Sequence, residues 1–254
     1  TFSVEDFVLG CLFDHKLTIV KPTAVKLAAT AADAFDRNTI ELDKTVATGS
    51  EHKIVDVSHH SRAEAESGAG ASKVGVAGSL ALNIVTNHTE ALIKSGAIVE
   101  AGNGDIILST VNTQGNAATA AAKVSGGDVG VGASIALNVL PENMTRAEIE
   151  DTAALTGGNN LVLSASSDHA VLTTAKAGAA GGTAVSPVVA VAYVEDATTA
   201  RLGTSSGSTL SLTGDATVLA SHTGTAHTKV DASVAGDKVA VGAAVGVNIV
   251  GSAT

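Results

Sequence analysis

The sequence repeats itself with a 55-residue period, and this period limits the folds open to the chain more than any other feature. The segment Val129-Gly-Val-Gly-Ala-Ser-Ile-Ala-Leu-Asn138 has close copies that end at Asn83 and at Asn248. Asn83 lies one period before Asn138, and Asn248 lies two periods after it. A fixed period of this length indicates a repeat array, in which each unit stacks on the next.

The same step predicts two further repeat positions. One is Tyr193, the last residue of the degenerate copy Ala184-Val-Ser-Pro-Val-Val-Ala-Val-Ala-Tyr193. The other is Ala28, in a first repeat whose sequence is strongly degenerate. We therefore predict one continuous array over residues 17–254. Because asparagine tolerates turn geometry and can hydrogen-bond its own backbone, we interpret the closing asparagines as turn residues at strand ends.

The composition favours closely stacked strands over a globular core. Aromatic residues are 2% of the chain and tryptophan is absent, so a globular core would lack its largest side chains. The chain has 27 glycines, and its apolar residues are mostly alanine and valine. Alternating apolar runs bounded by Gly, Asn, Asp or Ser are typical of strands. We predict an all-β fold, a β-solenoid of the parallel β-helix type built from 55-residue repeats.

The path of the chain within one repeat stays open at this point. A solenoid coil commonly takes about 20–30 residues, so each repeat would hold two coils, and about nine coils would stack into a rod of roughly 40–45 Å. In the alternative, the alanine-rich run 118–122 and the strand that begins at Val129 form a long antiparallel hairpin across Gly126-Gly127, and such hairpins stack.

Residues 1–16 differ from the repeats. Ser3 and Asp6 resemble a helix-capping box. The apolar residues recur at helical spacing, at Val4, Phe7, Val8, Cys11 and Leu12. Because atypical terminal elements cap the open end of many repeat arrays, we predict a short capping helix here, with a linker as the alternative.

Charge and composition exclude several classes of partner. The net charge of −10 opposes binding to nucleic acid and to anionic membrane surfaces. No apolar run reaches the length of about 18 residues that a membrane helix needs, so we expect no membrane insertion. The single cysteine, Cys11, forms no internal disulfide. Because the chain opens on Thr1 rather than methionine, we expect either a processed product or a piece of a longer protein, and the end of the chain six residues past Asn248 favours the piece.

The histidines and carboxylates give little sign of chemistry. His52, His59 and His60 with Asp56 are a candidate metal set, but no other repeat mirrors them. The remaining scattered histidines are predicted to face solvent, at His88, His169, His222 and His227. We therefore predict no catalytic, cofactor-binding or metal site.

The acidic residues next to glycines or turns suggest two alternatives. Clustered carboxylates in a groove would suit a β-helix polysaccharide lyase or hydrolase, but aromatic residues for stacking on sugars are nearly absent. Asn103-Gly-Asp105 and Gly126-Gly-Asp128 are fragments of a calcium-binding nonapeptide, so a structural calcium ion between turns is the second alternative. The carboxylates concerned are Asp105, Asp128, Asp151 and Asp237.

The repeat resembles those of very large bacterial exoproteins, the filamentous haemagglutinin-like and leukotoxin-type filamentous adhesins. The resemblance rests on Val-Gly-Val-Gly-Ala-Ser-Ile-Ala-Leu-Asn138, then Thr145-x-Ala-x-Ile149, and Gly104-Asp-Ile-Ile-Leu-Ser109, and it covers residues 55–254. It implies a secreted β-solenoid stalk on the bacterial surface and no catalytic residues. Residues 1–16 and Tyr193 do not match the family pattern.

Three functions follow as expectations. The first is a stalk or fibre segment of an extracellular adhesin, acting in adhesion or biofilm with a host or cell-surface glycan or protein as partner. The second is a filament subunit, in which open solenoid ends stack head to tail. The third is the β-helix lyase or hydrolase.

Overall fold

Every element that the structure describes is a β-strand. The computed structural model describes residues 15–16, 25–30, 37–42, 59–70, 73–203 and 209–254. In chain order the strands are β1 His15–Lys16, β2 Val25–Thr30, β3 Arg37–Leu42, β4 His59–Gly70, β5 Val74–Ile93, β6 Ile98–Gly102, β7 Ile106–Ser125, β8 Val129–Ile149, β9 Ala154–Gly157, β10 Leu161–Leu202, β11 Thr209–Leu210 and β12 Ala216–Ala253. The predicted all-β class is confirmed.

The strands stack in parallel, as in a solenoid. Leu161 of β10 pairs with Ile106 of β7 on one side and with Ala216 of β12 on the other, and each partner lies one full period away in the sequence. All pairings among the described strands are parallel. The solenoid prediction is therefore confirmed, and the antiparallel-hairpin alternative is wrong for these strands.

One repeat forms one coil, so the expectation of two coils per repeat is wrong. We call the levels coil 1 (β4 and β5), coil 2 (β7 and β8), coil 3 (β10) and coil 4 (β12). At about 4.8 Å per level, these four coils stack to less than about 20 Å, and the short strands β3 and β1 add two partial levels beyond β5. One arm, such as the 20 residues of β7, extends about 65 Å at roughly 3.3 Å per residue. The structure is a flat stack rather than the expected nine-coil rod.

Each coil has two long arms and one short strand. The first sheet contains β2, β4, β7, 161–180 and 216–235, and the second sheet contains β1, β3, β5, β8, 183–202 and 239–253. The arms of one coil lie face to face, so their side chains, and not backbone hydrogen bonds, join the two sheets. The short strands β6, β9 and β11 form a third sheet.

Glycines permit both the bend between the arms and their close approach. In coil 2 the bend uses Gly126 and Gly127, with φ of 79° and 100°, which side chains with a Cβ rarely adopt. Just past the bend, a Cβ on Gly132 would lie 2.5 Å from the carbonyl oxygen of Gly178 in the opposite arm. The sheets therefore meet at backbone distance near the bend, and only small residues fit between them.

The interior changes character along the arms. Next to the bend lies a cluster of small apolar residues that includes Ala118, Ala120, Ala136, Ala175 and Ala190. At the far end, where the short strands close the coil and leave more room, the core contains larger side chains, among them Ile93, Ile106, Leu108, Leu155 and Leu163. Polar side chains occupy part of the interior between these two clusters.

The closing asparagines are interior strand residues, which corrects their interpretation as turn residues. Asn138 is fully buried within β8, and its side-chain amide donates to the backbone carbonyl of Asn116, at 3.1 Å, in the opposite arm. Asn248 makes the same bond to Ala226 at 3.1 Å. Asn83 donates to Oδ1 of Asn138 at 3.2 Å. The amides of Asn138 and Asn248 therefore bridge the two sheets, and the bond from Asn83 to Asn138 joins successive coils of the second sheet.

Tyr193 and Ala28 do not occupy the expected repeat positions. Ala192, and not Tyr193, pairs with both Asn138 and Asn248, because the register shifts by one residue at the bend between Gly181 and Thr183. Ala28 of β2 pairs with Ser109 in the first sheet, whereas the closing asparagines belong to the second.

Coil 2 carries one more residue than coil 1 after Asn138, and this residue lies inside a strand. The register between β5 and β8 shifts by one residue where Val85 faces Leu140 and Pro141. A β-bulge accommodates the extra residue there, and proline is tolerated because a bulged position lacks a ladder hydrogen bond.

The predicted capping helix lies mostly outside the described residues. Residues 1–14 are among those that the structure does not describe, and His15–Lys16 form the short strand β1. None of the described residues form a helix with the length and apolarity needed to cross a lipid bilayer.

Candidate functional site

A layer of buried polar side chains runs through the coils between the apolar clusters. Hydrogen bonds connect it from coil to coil: Asn87 donates to Asn112 at 2.9 Å, and Asn112 donates to Asn143 at 2.8 Å. Asn143 in turn donates to Oδ2 of Asp196. We call the set the polar layer, and it consists of Asn87, Asn112, Asn143, Thr145, Ser167, His169, Asp196, Thr198 and His222.

Asp196 is the charged centre of the polar layer. Its side chain has no exposed surface, so a carboxylate there needs several donors. Oδ2 accepts from Ser167 at 3.3 Å and lies 3.1 Å from Nδ1 of His169, while Oδ1 accepts from Thr198 at 3.1 Å. Nδ1 of His222, in coil 4, is 3.2 Å from Oδ1.

These partners keep Asp196 ionised inside the protein. Burial by itself would raise the pKa of this carboxyl, but the hydrogen bond from His169 and the charges of His222 and His169 hold its pKa below the ordinary value of 3.8. A carboxyl whose pKa is lower in the folded state stabilises the fold above its unfolded pKa. That stabilisation disappears as the pH falls through the lower folded-state value.

We expect the substitution Asp196→Asn to reduce stability at neutral pH and to matter progressively less in acid. The difference in unfolding free energy between the wild type and Asp196→Asn should be full above about pH 4 and shrink as the pH falls through the lowered folded-state pKa, because the wild-type carboxyl is then protonated. Urea denaturation followed by circular dichroism from about pH 6 to about pH 2 measures this difference. A difference that grows in acid would contradict the assignment.

The neighbouring coils carry neutral or smaller residues at the equivalent positions. Asn143 pairs with Asp196, Gln114 with His169, and Ser167 with His222. Gly224 follows His169 in the stack, and a Cβ there would lie 2.6 Å from Nε2 of His169. The His–Asp–His arrangement therefore depends on substitutions particular to coils 3 and 4, and the missing side chain at Gly224 makes room for the imidazole.

The structure corrects the prediction that His169 and His222 face solvent. His169 is 2% exposed, and the two rings lie 5.0 Å apart between their centroids. His88, partly buried, lies 2.9 Å from Glu142, and His227 is exposed as predicted. Strand parity was the signal that could have placed His169 inside, since it shares odd numbering with the buried Leu161 and Leu163.

The first candidate metal set is not assembled in the described part of the chain. His52 and Asp56 lie outside the described residues, and so does the side chain of His59. His60 is exposed and points away from the interior of the coil.

The candidate carboxylates form no common groove, and Asp105 and Asp151 contact residues of neighbouring coils. Asp105 and Asp128 flank opposite ends of β7, which at roughly 3.3 Å per residue separates them by about 65 Å. Oδ1 of Asp105 accepts from the backbone and side chain of Asn160, at 3.1 and 2.9 Å. Asp105 and Asn160 line a shallow depression of about 330 Å³, and Asp151 pairs with Arg201 at 3.1 Å.

An ion-pair ladder outside the polar layer joins coils 1 to 3. Arg146 lies 3.0 Å from Glu90 in coil 1 and also contacts Glu148, which in turn contacts Arg201 in coil 3. Burial alone would lower the pKa of Arg146, but Glu148 and Glu90 raise it. The ladder therefore favours the observed register on its side of the second sheet.

The outer faces of the two long sheets differ in polarity. On the second sheet, outward-facing Val76, Val131, Val185 and Val241 stack in one row, and Val76 is 66% exposed. Similar rows follow along the arm, starting at Val74, Leu80, Leu82 and Ile84. The first sheet instead presents charged residues such as Arg62, Glu64, Lys123, Lys176 and Asp231. A continuous apolar face of this kind is uncommon on monomeric soluble proteins.

The chain matches no protein-family model, and no characterised protein or solved structure shows significant similarity to it.

Proposed function

We propose that this chain is a structural segment of a secreted bacterial surface protein, a stalk or fibre that acts in adhesion or biofilm outside the cell. The observation that carries the proposal is the stack itself: each repeat adds one coil in parallel register. Such an architecture gains length by adding repeats and needs no separate globular core. The resemblance of the repeats to those of filamentous adhesins supports the same function.

Side-chain contacts between the two sheets and between successive coils support a mechanical role. Asn138 and Asn248 tie facing sheets together, and Arg146 ties successive coils together. The carboxylates of Asp105 and Asp151 bond to residues of neighbouring coils. We accordingly assign no catalytic step to the segment, and the partner of the complete adhesin would be a glycan or protein at another surface.

A second function, self-assembly into a filament, is favoured by the free edge of β12. Along 216–253 this strand pairs with β10 on one side, and no described strand pairs with its other side. Residues 74–84 of β5 likewise pair with β8 alone among the described strands. Unpaired edges are templates for further strands, so two copies could stack coil 4 of one on coil 1 of the other.

Small-angle X-ray scattering over a concentration series tests both functions. A stalk segment should give one particle with a longest dimension near the arm length of about 65 Å at every concentration. End-to-end assembly should add about 20 Å along the stacking axis for each copy, and Val245→Lys at the free edge should suppress it. A compact sphere would refute the stacked architecture and with it both functions. Thickening across the second sheet would refute end-to-end assembly and indicate lateral pairing through the apolar face.

A further inference from the structure

We propose that His169, Asp196 and His222 bind one divalent transition-metal ion, with Zn²⁺ the best fit to their ligand atoms. The inference goes beyond the stalk function and does not depend on it. One carboxylate and two imidazoles are a ligand set that zinc accepts in proteins. One ligand atom from each of the three residues lies within 4.8 Å of the other two.

Two of the separations between the ligand atoms are close to those in a tetrahedral zinc site. Zinc bonds to histidine nitrogen and carboxylate oxygen at about 2.0–2.1 Å, so two ligands of a tetrahedron lie about 3.3 Å apart. Nδ1 of His169 is 3.1 Å from Oδ2 of Asp196, and Nδ1 of His222 is 3.2 Å from Oδ1. Because the two nitrogens approach different oxygens of Asp196, an ion between the rings would be bound by both carboxylate oxygens, or by one of them after the carboxylate turns.

The histidine in coil 4 supplies the second observation. Nδ1 of His222 is inaccessible to solvent and faces the carboxylate at 3.2 Å, yet its geometry does not make a hydrogen bond. A buried ring nitrogen in this state is costly. Coordination to a metal would satisfy its lone pair, with the ring proton on Nε2.

The surroundings fit an ion that is held between coils. Asn143, Ser167 and Thr198 donate to the Asp196 carboxylate and would orient it, as partners of metal-bound carboxylates do. His222 is the most exposed of the three ligands, with 13% of its side chain accessible, so an ion and a water ligand would enter beside it. Because His169 and Asp196 lie in coil 3 and His222 in coil 4, the ion would crosslink these coils.

The metal site can be tested with substitutions to residues that other coils of this chain already carry at the paired positions. His169→Gln, Asp196→Asn and His222→Ser each install the residue that the preceding coil carries at the paired position, namely Gln114, Asn143 and Ser167. His227→Ser is the matched control, because His227 lies on the same strand as His222 but is exposed. Circular dichroism establishes that each variant is folded.

Isothermal titration of the metal-stripped full chain with Zn²⁺ should show one site per chain, and Co²⁺ should give the intense visible absorption of a tetrahedral complex. We expect each ligand substitution to weaken Zn²⁺ binding by about 100-fold or more, since even loss of an outer partner costs about 10–100-fold. His227→Ser should bind as the wild type does. Zn²⁺ should also raise the melting temperature of the wild type and of His227→Ser, but not that of His222→Ser.

Three results would overturn the proposal. The first is no saturable Zn²⁺ binding by the folded wild type. The second is binding that survives both His169→Gln and His222→Ser. The third is binding that is lost in His227→Ser, which would assign the ion to the exposed surface.

Discussion

Replacing Gly132 by valine should unfold the stack around the bend or prevent it from forming. A Cβ at this position would lie 2.5 Å from the carbonyl oxygen of Gly178, and the obstacle is backbone that a rotamer change cannot move. Overpacking a tight interior costs about 1–3 kcal/mol even where side chains can shift. Because a valine here would force the two sheets apart, we expect a loss of about 3 kcal/mol or more in unfolding free energy.

Gly78→Val is the matched control for this prediction. Gly78 is also a strand glycine of the second sheet, but it faces outward, and a Cβ there would meet no atom within 4 Å. Valine favours strands, so this variant should be as stable as the wild type or slightly more stable. Urea denaturation monitored by circular dichroism compares the two. Equal stability of the two variants would contradict the close approach of the sheets at Gly132.

The second large effect is expected from Asn143→Asp, which changes one amide to a carboxylate of the same shape. The amide of Asn143 donates to Oδ2 of Asp196, so the variant would bring two buried carboxylates into contact. Two like charges at about 4 Å repel by about 4 kcal/mol at the effective dielectric of most protein sites. We expect a stability loss of about that size at neutral pH, limited by protonation of one carboxyl.

The pH dependence of this variant should be the reverse of that expected for the wild-type carboxyl. A shared site raises the pKa of one carboxyl. A group whose folded-state pKa is raised destabilises the fold above that value, so the penalty should shrink as the pH falls through it. Denaturation of the variant and the wild type at a series of pH values measures the penalty directly.

A second substitution provides the control. In the double variant Asn143→Asp with Asp196→Asn, the carboxylate moves from coil 3 to coil 2 and again faces an amide. We expect it to be more stable than Asn143→Asp alone, although His169 and His222 then face an amide. If the double variant is as unstable as the sum of the two single variants, contact between residues 143 and 196 is not the cause of the loss.

The sequence contains enough to predict the architecture but not its cross-section. The recurring segment that ends at Asn83, Asn138 and Asn248 predicts that equivalent residues of successive repeats stack on one another, as Asn83 and Asn138 do. The number of coils in each repeat depends on where strands end, and several glycines and asparagines that suggest turns lie inside strands, as Asn138 does in β8. β10 continues through Gly181 and Gly182 and spans 42 residues. Neighbouring coils hold these residues in strand conformation, and local propensity does not show that support.

The cluster of His169, Asp196 and His222 was not identified from the sequence, because these residues differ from those at the equivalent positions of the preceding repeats. His169 and His222 are not separated by a whole period, so the repeat gives no reason to connect them. They meet because inward positions two residues apart along the arm become diagonal neighbours on successive coils. Asp196 comes from the opposite arm, across a fold-back that the sequence alone left unresolved.

The polar layer also bears on how near-identical units find their order. Strand backbones and alanine-rich interiors are alike in every coil, so they discriminate poorly between a correct neighbour and a skipped one. If coil 4 docked on coil 2, His222 would meet Asn112 and Asn143, and Asp196 would keep His169 of its own coil but lose His222. Removing one partner of a buried charge is strongly destabilising. The buried polar contacts thus distinguish the position of each coil among otherwise similar coils. A stack with its coils in the wrong order would be less stable than the correct one.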